Sequence, residues 1–443
     1  MRVIIIGGIA AGMSAAAKLR RADKYAKIIV YEKSKYVSFG ACGLPYYVGG
    51  FFADSNNMIA RTKEKFIESG IEVFTEHEVI GVNTDADEVK VKDIVSGKEF
   101  TDKYDKLLIA TGASSIIPPI KNVNLENVHT LKSMEDGIIL KEKMQRDDIK
   151  RVAIIGAGFI GLEAVEAALE SGKEVYVFQL EDRILKEVFD KEVTDILEDE
   201  LKSKGVKLYL NTMVTELKGI TSVESIVAKE IEERVDLVVV AAGVRPNTEF
   251  LKSTNIEMLK NGAIIIDNEG RTSIDNIYSA GDCATIPHML KENAYVPLAT
   301  GANKLGRIVG ENLSGKHEKF EGTLASSCIK VLNMEAGRTG LSEKEAEALN
   351  IPYKTVFIKD KNQTSYYPGQ EDIYVKLIYN GETKVLLGGQ VVGKKDAVQR
   401  TNILAVAIAA KFTTDRLGMV DLCYAPPFAR TWDVINVAGN VAK

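Results

Sequence analysis

The chain has 443 residues, 45% of them hydrophobic and 27% charged, with 36 glycines, which is the composition of an ordinary soluble globular protein of two or three domains. A formal net charge of -5 supplies no basic face for nucleic acid or an anionic membrane, and no apolar run approaches the roughly 20 residues that span a bilayer. Four widely spaced cysteines, Cys42, Cys283, Cys328 and Cys423, fit neither a zinc framework nor a disulfide scaffold, so a reducing cytoplasm is the expected compartment and no metal is expected.

The start, Met1-Arg2-Val3-Ile4-Ile5-Ile6, runs straight into a glycine loop and shows no cleavage pattern of a signal peptide. Val3–Gly12 reads as a short β-branched strand, a glycine turn and the opening of an Ala-rich helix. A second strand follows at Lys27–Tyr31. The same plan returns at Val152–Gly161 with a second strand at Glu174–Phe178, so the opening of a βαβ unit occurs twice.

A dinucleotide site needs glycines for a tight turn and close approach of the backbone to a pyrophosphate, and a helix N-terminus with free N–H groups. Gly156, Gly158 and Gly161 meet the full spacing. The first loop, Gly7-Gly8-Ile9-Ala10-Ala11-Gly12, carries Ile9 at the middle position and alone is a weak match. Glu32, 25 positions after Gly7 at the end of the second strand, strengthens it, because a carboxylate there accepts ribose hydroxyls. The corresponding residue of the second unit is Gln179. An amide removes the clearest argument for NADH without supplying the arginine that argues for NADPH, and Arg183 is the nearest cation; the preference stays open, leaning to NADPH.

Further along, Lys106–Gly112 and Leu237–Gly243 are hydrophobic strands ending in small residues, where the chain crosses between nucleotide domains. Asn276-Ile277-Tyr278-Ser279-Ala280-Gly281-Asp282 sets a carboxylate after a strand and a glycine. From Gly322 the pattern changes: Lys354–Ile358 and Ile373–Tyr379 read as antiparallel strands, Asn380-Gly381 as a hairpin turn and Asp396–Ala410 as a helix. The C-terminal third is therefore an α+β unit without a glycine fingerprint.

These features together resemble the FAD-dependent pyridine nucleotide-disulfide oxidoreductases over essentially the whole chain. The resemblance implies an α/β, glutathione reductase-like fold: two Rossmann-like dinucleotide-binding domains plus a C-terminal α+β dimerisation domain that forms a homodimer. It places an FAD-binding domain at 1–115 and 245–321, an inserted NAD(P)H-binding domain at 116–244 and the dimerisation domain at 322–443. It assigns to FAD Gly7, Gly8, Ala10, Ala11, Gly12, Glu32 (adenosine ribose), Lys33, Val79, Ala110, Thr111, Gly112, Gly281, Asp282 (ribityl chain), Pro297, Leu298 and Ala299. To NADPH or NADH it assigns Gly156, Gly158, Phe159, Ile160, Gly161, Gln179, Gly243 and, near the flavin–nicotinamide contact, Glu163.

Ser38-Phe39-Gly40-Ala41-Cys42-Gly43-Leu44-Pro45-Tyr46-Tyr47 decides the branch. A lone cysteine is commonly a small core residue. Here it opens a helix, whose N-terminus stabilises a thiolate, and no second cysteine follows before Cys283, so Cys42 works alone as a mixed disulfide or a sulfenic acid. The segment resembles the single-cysteine branch, which holds coenzyme A-disulfide reductases, persulfide reductases, NADH oxidases and NADH peroxidases. Cys-Gly-Leu-Pro-Tyr-Tyr is most like the coenzyme A-disulfide reductases, and Ala10 stands where peroxidases and the oxidases nearest them carry histidine. Ala41 departs from the Asn those reductases commonly have before the cysteine.

The resemblance makes Tyr367 and Tyr424 proton donors that reach across the dimer to the partner's cysteine, with Tyr366 the alternative to Tyr367. For coenzyme A phosphates it favours Arg21 and Ser38; Arg20, Arg61, Lys65, Asn303 and Lys304 are further candidates. The implied reaction passes electrons from NAD(P)H through FAD to Cys42 and on to coenzyme A disulfide or a small disulfide or persulfide, with coenzyme A held at Cys42. The alternatives are an NADH oxidase working through a Cys42 sulfenic acid and, in another class, an electron carrier to a protein partner with a merely structural Cys42. No rhodanese-like extension is expected after Tyr424.

Overall fold

A computed structural model describes all 443 residues. The strand Arg2–Ile6 pairs in parallel with Lys27–Glu32 on one side and Lys106–Ile109 on the other. Ile71–Thr75 and Ile277–Ser279 complete a five-stranded sheet at its two edges. Because Ile277–Ser279 lies beside Lys106–Ile109, the chain leaves this sheet and returns to it after the second nucleotide unit. The strand interiors are apolar runs, as parallel strands covered on both faces require.

The second sheet repeats the design. Arg151–Ile155 lies between Glu174–Phe178 and Leu237–Val240, with Lys207–Tyr209 and Val128–His129 outside. The two units are joined by a two-stranded antiparallel link, Ala113–Ser115 with Val244–Pro246. Thr111 and Asn247 tie its root: Thr111 Oγ1 donates to the Asn247 carbonyl at 2.7 Å and Asn247 Nδ2 to the Thr111 carbonyl at 3.0 Å. The segments Lys106–Gly112 and Leu237–Gly243, expected to cross between the nucleotide domains, end at this link.

The C-terminal unit is a five-stranded antiparallel sheet in the order Ser327–Val331, Met334–Gly340, Leu386–Gly393, Asp372–Asn380, Tyr353–Lys361. Leu386–Gly393 is buried at every position and Asp372–Asn380 at six of nine, which is why period-2 alternation is poor there. The turn after Asn380 is longer than a two-residue hairpin, since pairing resumes at Leu386. The helix Ala397–Ala409 covers the sheet. No helix is long and apolar enough to cross a membrane.

This sheet grips the second nucleotide unit through a buried polar clamp. Asp190 N–H donates to Gln390 Oε1 at 2.9 Å and Gln390 Nε2 returns a bond to Asp190 Oδ2 at 2.7 Å. Lys376, 1% exposed, sets its ammonium 2.7 Å from Glu192 and 3.5 Å from Asp190, and pairs also with Glu343. Arg338 donates to the Val188 carbonyl at 2.8 Å. Residues 188–192 are thereby fixed to the C-terminal sheet.

Candidate active site

The two glycine loops superpose in logic. Gly7 and Gly156 adopt φ of +106° and +103°, and a Cβ on either would fall 2.1 Å from the Ala110 carbonyl oxygen or 2.4 Å from that of Ala241. Only glycine lets the turn pack on the neighbouring strand end. Gly12 and Gly161 press on the turn itself, 1.9 and 2.0 Å from the Gly7 and Gly156 oxygens were a Cβ present. At Gly158 a Cβ would meet nothing within 4 Å, which leaves a cradle for an approaching group. The middle place of the first loop is filled by Ile9, the residue preceding the helix Ala10–Ala22.

The helices Ala10–Ala22, Phe159–Glu170 and Ala299–Leu313 are among those whose N-termini lack a side-chain cap, the last preceded by Pro297 and Leu298. Uncapped N–H groups that face a cleft are anion sites, so both loops fit a dinucleotide pyrophosphate. Glu32 is buried and accepts Gly8 N–H at 2.7 Å and Ser34 N–H at 2.8 Å. Gln179 makes the equivalent bond, from Ala157 N–H to Oε1 at 2.9 Å. Val79 is buried behind the first unit, Lys33 is exposed, and Gly112 and Gly243 take positive φ at the crossing strands. Gly281, at φ +89°, packs a hypothetical Cβ 3.1 Å from Ala11, which brings Asp282 to the first loop. Asp282 accepts from Lys132 at 3.2 Å, a partner that no motif in the sequence announces.

Cys42 lies in a 3-10 turn, Ala41–Gly43, ahead of a five-residue helix, Leu44–Val48. Its residue is exposed, yet partial desolvation pushes the thiol pKa up, Glu163 adds to the rise, and Lys132 pulls the other way. The expectation of a thiolate stabilised by a helix end is therefore corrected: the turn is too short to act as a macrodipole, and a carboxylate dominates the charges around the sulfur. Glu163 is itself displaced upward, from 4.5 to about 7, by burial and then by the charge of Glu166, with Tyr46 opposing. Tyr46 rises to about 12 through burial, followed by the charges of Glu163, Glu166, Cys328 and Cys42. Tyr46, Glu163 and Glu166 thus form one electrostatic group around the cysteine, of which only Glu163 was legible beforehand.

The tyrosine choice is sharpened by geometry. Tyr366 and Tyr424 hydroxyls lie 3.0 Å apart on the exposed face of the C-terminal unit, and this bond raises the Tyr366 pKa. Tyr367 takes no part in it. Of the cations proposed for phosphates, Arg20 is consumed by the backbone: it donates to the carbonyls of Lys24 at 2.7 Å, Ala26 at 2.6 Å and Gly70 at 2.8 Å. It is a structural residue, not a free phosphate ligand. Arg61 stacks over Phe66 at 4.2 Å and donates to the Lys65 carbonyl. Arg21, Lys65 and Lys304 are exposed, and Asn303 accepts from Ser14 at 2.8 Å between the first helix and Ala299–Leu313. Ser38, at φ +51°, is held by its N–H to the Gly8 carbonyl at 2.8 Å, which places the cysteine segment against the first loop.

Residues 1–306 match the family described as pyridine nucleotide-disulphide oxidoreductase, and residues 326–434 match its dimerisation domain, through which subunits pair. The chain is 38% identical, over 100% of its length and 98% of the relative's, to the NAD(P)H coenzyme A polysulfide/persulfide reductase of Pyrococcus horikoshii. It is 34% identical to the NADH oxidase of Enterococcus faecalis, with 100% and 99% covered, and 30% identical to the coenzyme A disulfide reductase of Staphylococcus aureus, with 100% of each covered. Among solved structures, the NAD-dependent persulfide reductase of A. fulgidus superposes with a TM-score of 0.96 at 35% identity, covering 100% of this chain and 83% of that one. With two uncapped glycine loops, a lone cysteine on a segment bonded to the first of them and these likenesses, the chain belongs to the pyridine nucleotide-disulphide oxidoreductases, FAD-dependent enzymes that draw electrons from NAD(P)H.

Proposed function

We propose that the protein reduces coenzyme A disulfide, or a small disulfide or persulfide of that kind, through Cys42. The observation that carries this reading is a single thiol on the segment whose Ser38 N–H bonds the first nucleotide loop, without a second cysteine in that segment and within the electrostatic reach of Glu163, Lys132 and Asp282. The first loop with Glu32 and Asp282 holds FAD, and the second with Gln179 and Gly243 holds the nicotinamide dinucleotide. When bound, these groups supply two-electron transfer from nicotinamide to the sulfur of Cys42.

The residues of the chain do the rest. Cys42 thiolate attacks one sulfur of the disulfide, forming Cys42–S–S–R and releasing RS⁻. A proton reaches RS⁻ from the Tyr366–Tyr424 pair, supplied by the partner subunit across the dimer, where a hydroxyl bonded to a second hydroxyl is suited to general acid work. Two electrons then cleave the mixed disulfide, releasing the second thiol and restoring Cys42. The sum is RSSR + NAD(P)H + H⁺ giving 2 RSH + NAD(P)⁺. Arg21, Ser38, Arg61 and Asn303 are the residues assigned to the coenzyme A arm. Free thiols at all four cysteines suit a reducing compartment such as the cytoplasm.

The competing reading, an NADH oxidase that reduces oxygen through a Cys42 sulfenic acid, draws on the NADH oxidase relative, and Ala10 in place of a histidine argues against it. Native mass spectrometry tests the choice. A coenzyme A adduct on Cys42 supports the disulfide reductase; a Cys42 free of adduct, with oxygen uptake outrunning disulfide reduction, overturns it.

A further inference from the structure

Tyr366 and Tyr424 stand on two loops far apart in the chain. The first, 362–371, joins the strands Tyr353–Lys361 and Asp372–Asn380; the second, 420–433, joins the helices Thr414–Met419 and Val434–Val441. Tyr366 is 72% exposed and Tyr424 44%, so packing around the rings does not hold their hydroxyls 3.0 Å apart. An exposed pair keeps one geometry when the backbones beneath it are fixed to each other; otherwise side-chain entropy disperses it.

Buried polar groups below the tyrosines do that fixing. Arg400, on the helix Ala397–Ala409 and 5% exposed, sends one guanidinium nitrogen to both loops. Its Nη2 donates to the Asn362 carbonyl at 2.9 Å, four residues before Tyr366, and to the Phe428 carbonyl at 3.2 Å, four residues after Tyr424. Asp433 holds the guanidinium in place, with Oδ2 3.1 Å from Nε and 2.8 Å from Nη2. Asn362 closes the neck of the first loop, its Oδ1 accepting Glu371 N–H at 2.8 Å. Gln363, fully buried, donates to the carbonyls of Tyr367 at 3.3 Å and Pro368 at 2.9 Å from inside that loop. Nearer the tips, Thr364 Oγ1 donates to the Pro426 carbonyl at 3.1 Å, so the loops are joined a second time, two residues from each tyrosine. Arg430 and Asp360 pair across the same two segments. Such a base adds little stability. A buried ion pair gains little over an apolar replacement, and Asn362 Nδ2 and Gln363 Oε1 are buried without a partner in the chain, each at a desolvation cost. What the polar groups supply is placement, since apolar contact has no direction and a guanidinium fork does.

We propose that Arg400 and Thr364 are positioning residues that hold the Tyr366 and Tyr424 hydroxyls as a preformed pair, ready before a disulfide binds. Arg400 braces the two loops at their roots and Thr364 joins them near their tips. Neither residue touches the substrate; each acts through the backbone that carries a tyrosine. This inference rests on the reading of the tyrosine pair as proton donor to the leaving thiolate. A donor misplaced by about 1 Å costs about 10²-fold in rate, and loosening one of two ties costs part of that.

Steady-state reduction of coenzyme A disulfide by the FAD-loaded protein tests it. Thr364→Val, which keeps the shape and removes the hydroxyl, lowers kcat about tenfold with KM within about twofold of wild type, and Thr364→Ser restores the rate. Arg400→Lys, which keeps a charge for Asp433 and gives up the fork, lowers kcat by about tenfold to a hundredfold. Flavin reduction by NAD(P)H is unmoved in each, and the Thr364 variants decide where Arg400→Lys does not fold. The cycle with Tyr424→Phe separates placement from a general loss of structure. Because Thr364 acts through the pair, Thr364→Val combined with Tyr424→Phe is as slow as Tyr424→Phe alone, within about twofold. Effects that multiply in the double variant, or a kcat of Thr364→Val or of folded Arg400→Lys within about twofold of wild type, overturn this inference alone. A Tyr424→Phe variant that reduces the disulfide at the wild-type rate overturns the reading of the pair as proton donor, and the inference with it.

Discussion

Glu163→Gln gives the sharpest test of the electrostatics around the cysteine. Glu163 sits on the helix Phe159–Glu170, three residues before the buried Glu166, and burial followed by the Glu166 charge lifts its pKa from 4.5 to about 7. Between those two values the folded protein keeps a proton that the unfolded chain releases, so wild-type stability falls as pH rises through this window. At 1.36 kcal/mol per pH unit the loss reaches ~3 kcal/mol above pH 7 and vanishes below pH 4.5. Glutamine cannot ionise, so the variant escapes the loss and gains ~2–3 kcal/mol on wild type at pH 8, with no such gain at pH 4. A second readout follows from the same charge. Glu163 is, after desolvation, the largest cause of the raised Cys42 pKa, so the alkylation rate of Cys42 by iodoacetamide moves to lower pH in the variant. Denaturation midpoints at pH 5 and pH 8, with the alkylation profile, measure both effects. A stability difference that is the same at both pH values, or a Cys42 profile that moves upward, refutes the reasoning.

Lys376→Met leaves Asp190, Glu192 and Glu343 without their buried counter-charge and lowers stability by about 3–5 kcal/mol, read as a lower melting temperature of the holoprotein. Gly161→Ala puts a Cβ 2.0 Å from the Gly156 oxygen, so nicotinamide dinucleotide affinity measured by titration collapses while FAD content stays near wild type. Tyr366→Phe or Tyr424→Phe removes one hydroxyl of the pair and slows disulfide turnover by roughly 10²–10⁴-fold in stopped-flow assays, with flavin reduction by NAD(P)H unchanged.

Both nucleotide loops were readable because their glycines answer a steric demand that no other residue meets: Gly7, Gly12, Gly156 and Gly161 each face a carbonyl oxygen closer than a Cβ tolerates. Glu32 and Gln179 were readable for a similar reason, since each ends a strand beside its loop and closes one local bond. What escaped the sequence depends on partners distant in the chain. The pairing of the Tyr366 hydroxyl, and not that of Tyr367, with Tyr424 spans 58 residues, and Lys132 meets Asp282 across 150. Arg20 looked free as a charge on a helix and is spent on carbonyls of the turn that follows and of Gly70. The direction of the Cys42 pKa depends on burial in the folded chain and then on Glu163, which lies over a hundred residues further on. Asp372–Asn380 hid its alternation because it is buried on both faces.

The central claim is that electrons from NAD(P)H leave through Cys42 to a disulfide. Anaerobic NAD(P)H oxidation with coenzyme A disulfide, compared between wild type and Cys42→Ser, tests it most directly. The account predicts stoichiometric thiol release by wild type, and in the variant rapid flavin reduction with no thiol release. Turnover of the disulfide by Cys42→Ser at the wild-type rate, or a wild type that consumes NAD(P)H only when oxygen is admitted, contradicts it.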